Sequence, residues 1–144
     1  MKDSQLNDSY AAGLFDGEGS VTVTKQKRSD LWRRPIVSIA STTYELLEFM
    51  KANYGGCISH KKTYKDHHKP SFVWAIQGRK AIQFLEQLRP YLREPDKIRR
   101  TDLLIDRYIE VTPRNGKYNN AATIAKEQFQ EEFFHPSTPC LSES

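Results

Sequence analysis

Twice within residues 20–88 the chain runs strand, basic loop, strand, helix, and this repeated order limits the available folds more than any other feature. Ser20, Val21, Thr22, Val23 and Thr24 alternate polar and apolar, as a strand with one buried face does, and residues 36–40 form a second short run rich in branched side chains. Thr42, Thr43, Tyr44 and Glu45 spell a T-x-x-E capping box. Leu46, Leu47, Phe49 and Met50 then supply an apolar stripe that stops before Gly55 and Gly56. The second unit has a strand over 57–60, a basic loop, a strand over 72–77 and a helix over 79–88 carrying Ile82, Leu85 and Leu88. Residues 8–16, ahead of the first unit, have helical character with Asn7 or Asp8 as cap. Beyond Pro90 the pattern predicts helices over 97–109 and 120–134, the first burying Leu104, Ile105, Tyr108 and Ile109. The string α-β-β-α-β-β-α plus a terminal helix predicts an α+β fold. Its helices cover one face of a four-stranded, mainly antiparallel sheet and leave the other face open.

A chain of 144 residues and 16.7 kDa holds one domain, expected here to have its core over 8–134 and a flexible tail over 135–144. With 38% hydrophobic and 28% charged residues it reads as soluble and globular, and no apolar run is long enough to cross a bilayer, so no membrane partner is expected. Residues 1–7 are polar and lack the apolar core of a secretion signal. Cys57 and Cys140 are too few and too far apart for a disulfide scaffold. An intracellular, reducing setting follows as an expectation, with an organelle (chloroplast or mitochondrion) and a bacterial or phage cytoplasm equally open. Cys57 is most simply a buried small hydrophobe opening a strand.

The net charge of +4 is unevenly spread. Segment 25–34 holds Lys25, Lys27, Arg28, Arg33 and Arg34 against Asp30, and segment 61–69 holds Lys61, Lys62, Lys65 and Lys69 against Asp66, while the remainder of the chain is net negative. Such local excess attracts a polyanion, and nucleic acid is the commonest one; two solvated loops are the plain alternative. The open face of the first strand would present Ser20, Thr22 and Thr24, and that of the second Arg34, Ser38 and Ile36. A polar sheet flanked by two basic hairpins is shaped to lie in a DNA major groove. In that arrangement Lys25, Lys27, Arg28, Arg33, Lys61, Lys62, Lys65 and Lys69 supply phosphate contact. Some of these, with Gln26, Ser20, Thr22, Thr24, Arg34, Ser38, Thr63 and Gln77, read base edges. His67 and His68 lie in the second basic loop, where phosphate or base-edge contact competes with plain surface; no Cys pair or carboxylate stands at a zinc-ligand spacing from them. Trp74, on an alternating strand, belongs to the core, and Trp32 either wedges against DNA or packs beneath its hairpin.

The sharpest local signal is Ala11-Ala12-Gly13-Leu14-Phe15-Asp16-Gly17-Glu18-Gly19. It reads as a helix with a small-residue face, Gly13 and Gly17 being four apart, that ends in a glycine-rich turn with two carboxylates. Glycine inside a soluble helix costs about 1 kcal/mol relative to alanine, so close packing against another helix is the expected compensation. This stretch resembles the motif of the LAGLIDADG homing endonucleases. The run from Pro35 into the Tyr44 helix, the stretch Tyr54-Gly55-Gly56-Cys57-Ile58 and the stretch Phe84-Leu85-Glu86-Gln87-Leu88-Arg89-Pro90-Tyr91-Leu92 resemble the family too, so that the likeness covers residues 8–134.

That resemblance implies a DNA-binding saddle and, with one motif per chain, a homodimer packed through Ala12, Gly13, Phe15 and Gly17 about a two-fold axis. It implies site-specific cleavage of both strands of a long, pseudo-palindromic double-stranded DNA by an enzyme encoded in an intron. It places a metal ligand at Glu18, with the Gly17 backbone beside it, a structural acid bonding the backbone at Asp16, a solvent- or phosphate-binding lysine at Lys97, and a solvent-positioning polar residue at Ser38. The implied ion is Mg2+, with Mn2+ a substitute and Ca2+ supporting binding with little cleavage. Rival readings on the same scaffold are an intron RNA maturase and a DNA-binding regulator that does not cleave. A small-molecule enzyme using Asp16 and Glu18 as acid and base is disfavoured by the two basic hairpins and by the lack of a second catalytic cluster.

Overall fold

The computed structural model describes residues 3–26, 29–61, 70–112 and 119–136, at 25–26 and 29–32 by their backbone alone. Its elements are α1 (Asp3–Glu18), β1 (Gly19–Gln26), β2 (Ser29–Ser41), α2 (Tyr44–Tyr54), β3 (Cys57–Lys61), β4 (Ser71–Gln77), α3 (Arg79–Leu88), a 3₁₀ turn (Arg89–Tyr91), α4 (Pro95–Leu103) running into a π-helical turn (Leu104–Tyr108), and α5 (Asn120–Phe134). The four strands form one sheet in the order β1-β2-β4-β3, every neighbouring pair antiparallel. This is the expected α+β architecture.

Alternation decides which face is covered. Val21, Val23, Val37, Ile39, Trp74 and Ile76 are buried beneath the helices, whereas Ser20, Thr24, Arg34 and Ala40 are exposed on the other side. α3 gives the core a broad apolar face, Ala81, Ile82, Phe84, Leu85 and Leu88. Phe84 sits edge-on or tilted at 5.0–5.9 Å from Tyr54, Trp74 and Phe15, joining α2, β4 and α1 in one aromatic cluster. The buried Trp74 indole donates to the Gly55 carbonyl at 2.7 Å. Gly56, at φ 89°, lets the chain pass over that ring: a Cβ there would stand 2.6 Å from the Ala75 carbonyl oxygen.

Several local expectations fail where a distant segment intervenes. α1 begins at Asp3, so Asp8 is no cap; it is buried, accepting from the Tyr54 hydroxyl at 2.7 Å and from Gln87 Nε2 at 3.0 Å. The carboxylate thereby ties α1 to α2 and α3. The N-cap of α2 is Thr43, one residue later than the T-x-x-E box requires, so the box is not made; Thr43 makes no side-chain cap bond, and its N–H donates to Ser41 Oγ at the strand's end. α4 starts at Pro95, earlier than expected, since Glu94 accepts from the N–H groups of Asp96 and Lys97 and Pro95 occupies the first turn.

Lys126 is fully buried on α5, its ammonium 4.2 Å from the Tyr108 ring centroid and hydrogen-bonded to Thr112 Oγ1. Burial pushes its pKa down to about 8. Between that value and the ordinary 10.5 the unfolded chain holds the proton that the folded chain has shed, so stability rises with pH there. The raised pKa values of Tyr54 and Tyr108, caused first by burial, act only above pH 10 and in the opposite sense. Urea unfolding is therefore expected to show a gain of about 1–2 kcal/mol from pH 7.5 to 9.5. Lys126→Met should abolish that slope. A slope that persists in the variant would place its origin in another group.

Candidate active site

α1 runs directly into β1, and the junction leaves no room for a side chain at residue 19, where a Cβ would lie 2.1 Å from the Phe15 ring. Glycine there makes the abrupt change from helix to strand feasible. The turn leaves Glu18 exposed, with no side-chain partner among the described residues. α1 also carries no basic residue in its last turn, so the Glu18 carboxylate adds its charge to the partially negative helix end. An exposed carboxylate beside backbone carbonyls is the kind of oxygen donor that a hard divalent ion takes. No three His, Cys, Asp or Glu side chains converge among the described residues, however, so one protomer offers such an ion only Glu18 and nearby backbone carbonyls.

Asp16 is engaged otherwise. Its carboxylate accepts from the backbone N–H groups of Arg93 at 2.9 Å and Glu94 at 3.3 Å. Glu94 caps α4, and in the first turn of α4 Lys97 reaches back, its Nζ donating to the Asp16 carbonyl oxygen at 3.1 Å and lying 3.9 Å from the Glu94 carboxylate. Asp16, Glu94 and Lys97 thus close a circuit that holds a largely buried ammonium against the end of α1, two residues from Glu18. Arg100, one turn along α4, donates to the Val21 carbonyl at 2.9 Å and stacks over Phe133, fixing the same helix to β1 and α5. Nothing local in the sequence singles out Arg100 or the Arg93 and Glu94 amides, because their partners lie 77 to 79 residues away.

Beside this helix end Ser20 and Ser38 face each other across β1 and β2, their hydroxyls 3.0 Å apart on the open side. Thr22, Thr24, Arg34, Ile36 and Gln77 share that side, as expected. Lys61 is exposed at the end of β3. The expected contacts of Lys27, Arg28, Lys62, Thr63, Lys65, His67, His68 and Lys69 lie outside the described residues, as do the side chains of Lys25, Gln26 and Trp32.

Three assignments are corrected. Arg33 does not face the open side: it donates to the Val23 carbonyl at 3.3 Å and lies over the Phe134 ring at 4.9 Å, because its register puts it with Pro35 and Val37 on the helix side. Ala12 and Phe15 are completely buried within the protomer and offer a second copy no surface. On α1 the outward stripe is Leu6, Tyr10, Gly13 and Gly17, the two large residues about half exposed and both glycines bordered by open space. Cys57 is exposed on the open sheet face opposite Ala75 and does not belong to the core.

Comparison with known proteins agrees with this geometry. The family model of the LAGLIDADG-like domain matches residues 8–89. The homing endonuclease I-CvuI, solved with its target in the presence of Ca, has the same fold at a TM-score of 0.70, 18% identity, 91% of this chain and 82% of that one. I-GzeII in complex with its DNA target gives 0.63 at 18% identity over 88% of this chain and 43% of that longer chain, and I-CeuI complexed with DNA gives 0.61 at 16% identity over 92% and 68%. No curated relative matches in sequence.

Proposed function

The chain belongs to the LAGLIDADG-like domain family, and on that premise we propose that it is a site-specific DNA endonuclease that cleaves both strands of a long pseudo-palindromic target as a homodimer. We further assign it to intron homing, with the enzyme encoded in the intron whose DNA it spreads. One observation carries the catalytic reading: the exposed Glu18 carboxylate, without a side-chain partner among the described residues, stands at the end of α1 beside a lysine held there by a dedicated circuit. Packing of two copies along Leu6, Tyr10, Gly13 and Gly17 would bring two such ends together, and the small residues allow close backbone approach.

In this arrangement Glu18 and the Gly17 carbonyl of each protomer would hold Mg2+. Mn2+ would substitute, and Ca2+ would support binding with little cleavage. The ion supplies an acidified water and neutralises charge building on the phosphate. The chain itself supplies orientation. Lys97, with two further N–H bonds to give beyond that to Asp16, meets a phosphate oxygen. The Ser20 and Ser38 hydroxyl pair donates to and accepts from solvent at the scissile bond. Asp16 keeps Lys97 in place and touches no reacting atom, so it is a positioning residue.

The test is incubation of purified protein with the uninterrupted sequence that flanks the coding intron, in magnesium and in EDTA. Expected is a single double-strand break in magnesium alone. Binding without cleavage in magnesium would make the protein a non-cleaving DNA-binding member of the family.

A further inference from the structure

The open sheet face is not uniformly polar. The register Ala40↔Val73, Ser38↔Ala75 and Cys57↔Ala75 places Ala40, Val73, Ala75 and Cys57 side by side on three strands of that face. Ala40 and Cys57 are exposed and Val73 and Ala75 partly so, while Val37, Ile39, Trp74 and Ile76 take the helix-covered side. Four small apolar side chains therefore look outward, bordered by Ser38, Ser59, Gln77 and Lys61. No core requires them there, and hydroxyl or amide side chains would have served a surface designed only to accept and donate hydrogen bonds.

We infer that this patch reads thymine methyl groups in the major groove and makes part of the target specificity apolar. The inference rests on the proposed DNA binding and names what this part of the face recognises. The C5-methyl of thymine is the apolar group on the major-groove edge of a base pair, and it packs against small apolar side chains. Hydrogen-bonding groups and cations around the patch match the neighbouring base edges and phosphates. Two alanines, a valine and a cysteine supply none of the large aromatic or arginine anchors by which a protein partner is usually held.

The experiment begins by selecting duplexes from a random DNA pool with the wild-type protein in calcium. The enriched sequence is then resynthesised with deoxyuridine replacing each thymine in turn, which deletes one methyl and keeps every hydrogen bond. Expected is a position at which the replacement weakens binding about fourfold, or about fifteenfold when made in both half-sites, the effect of exposing one or two buried methyl groups. Val73→Asn with Ala75→Ser, polar replacements of similar size that carry no methyl group, should bind thymine and uracil at that position equally. In a Cys140→Ser background Cys57 is the sole thiol, and the selected duplex should slow its alkylation. Uniform tolerance of uracil, or alkylation of Cys57 at the same rate with and without DNA, would overturn the inference while leaving DNA binding intact. Failure to enrich any sequence would instead defeat the proposed DNA recognition, and with it this reading of the patch.

Discussion

Glu18→Gln is expected to leave target binding intact and to lower magnesium-dependent cleavage by roughly three orders of magnitude or more, the rate equivalent of losing ~4 kcal/mol of transition-state stabilisation. The substitution keeps size and shape and removes the charge that makes an exposed oxygen a ligand for a hard cation. Because Glu18 is exposed and makes no side-chain hydrogen bond or ion pair among the described residues, none is lost with it, and the thermal melt should not fall. Removing a negative charge from the helix end also relieves its clash with the partially negative carbonyls there, and with DNA phosphates in the absence of metal, so affinity in calcium-free buffer should hold or rise. Affinity without metal, affinity in calcium and cleavage in magnesium, measured on both proteins, check this. Near-normal cleavage by the variant would remove Glu18 from the reaction. Asp16→Asn gives a useful contrast: its carboxylate accepts two backbone N–H bonds, so its loss should lower both the melting temperature and cleavage.

If the proposed homodimer packs along α1, Gly13→Leu is expected to leave the protein monomeric at micromolar concentration where the wild type is a dimer. Within one protomer a Cβ at residue 13 meets nothing within 4 Å, and leucine is the better helix former by about 1 kcal/mol, so the protomer itself should not lose stability. Against a second copy of α1 the same side chain would keep the backbones apart, forfeiting the close contact along Gly13 and Gly17. Sedimentation velocity on the free protein reads the outcome directly. A dimer that survives Gly13→Leu would locate the interface on another surface, and one disrupted with a lowered melting temperature would mean that α1 contributes to protomer stability through that position.

What the chain's own order determined is local and periodic. Alternation through Val21 and Val23 settles which side of β1 is buried, because successive strand residues point to opposite faces whatever lies above them. The apolar spacing of Ile82, Leu85 and Leu88 likewise settles the extent and buried side of α3. The stretch 11–19 carries its carboxylates and glycines in adjacent positions, so that the helix end bearing Glu18 was legible before any contact was known. Tertiary structure decided what depends on segments distant in the chain. Asp8 looks like a cap until Tyr54 and Gln87 arrive from α2 and α3, and Arg33 looks like a DNA contact until Phe134 covers it from α5. Ala12 and Phe15 belong to the motif by position but to the protomer's own core by burial, and Cys57 sits outward because its register with Ala75 puts it there. The purpose of Asp16 emerges only when residues 93–97 fold back onto α1. Periodicity fixes a side chain's direction relative to its own element, whereas its partners are set by how elements pack, which short-range spacing does not encode.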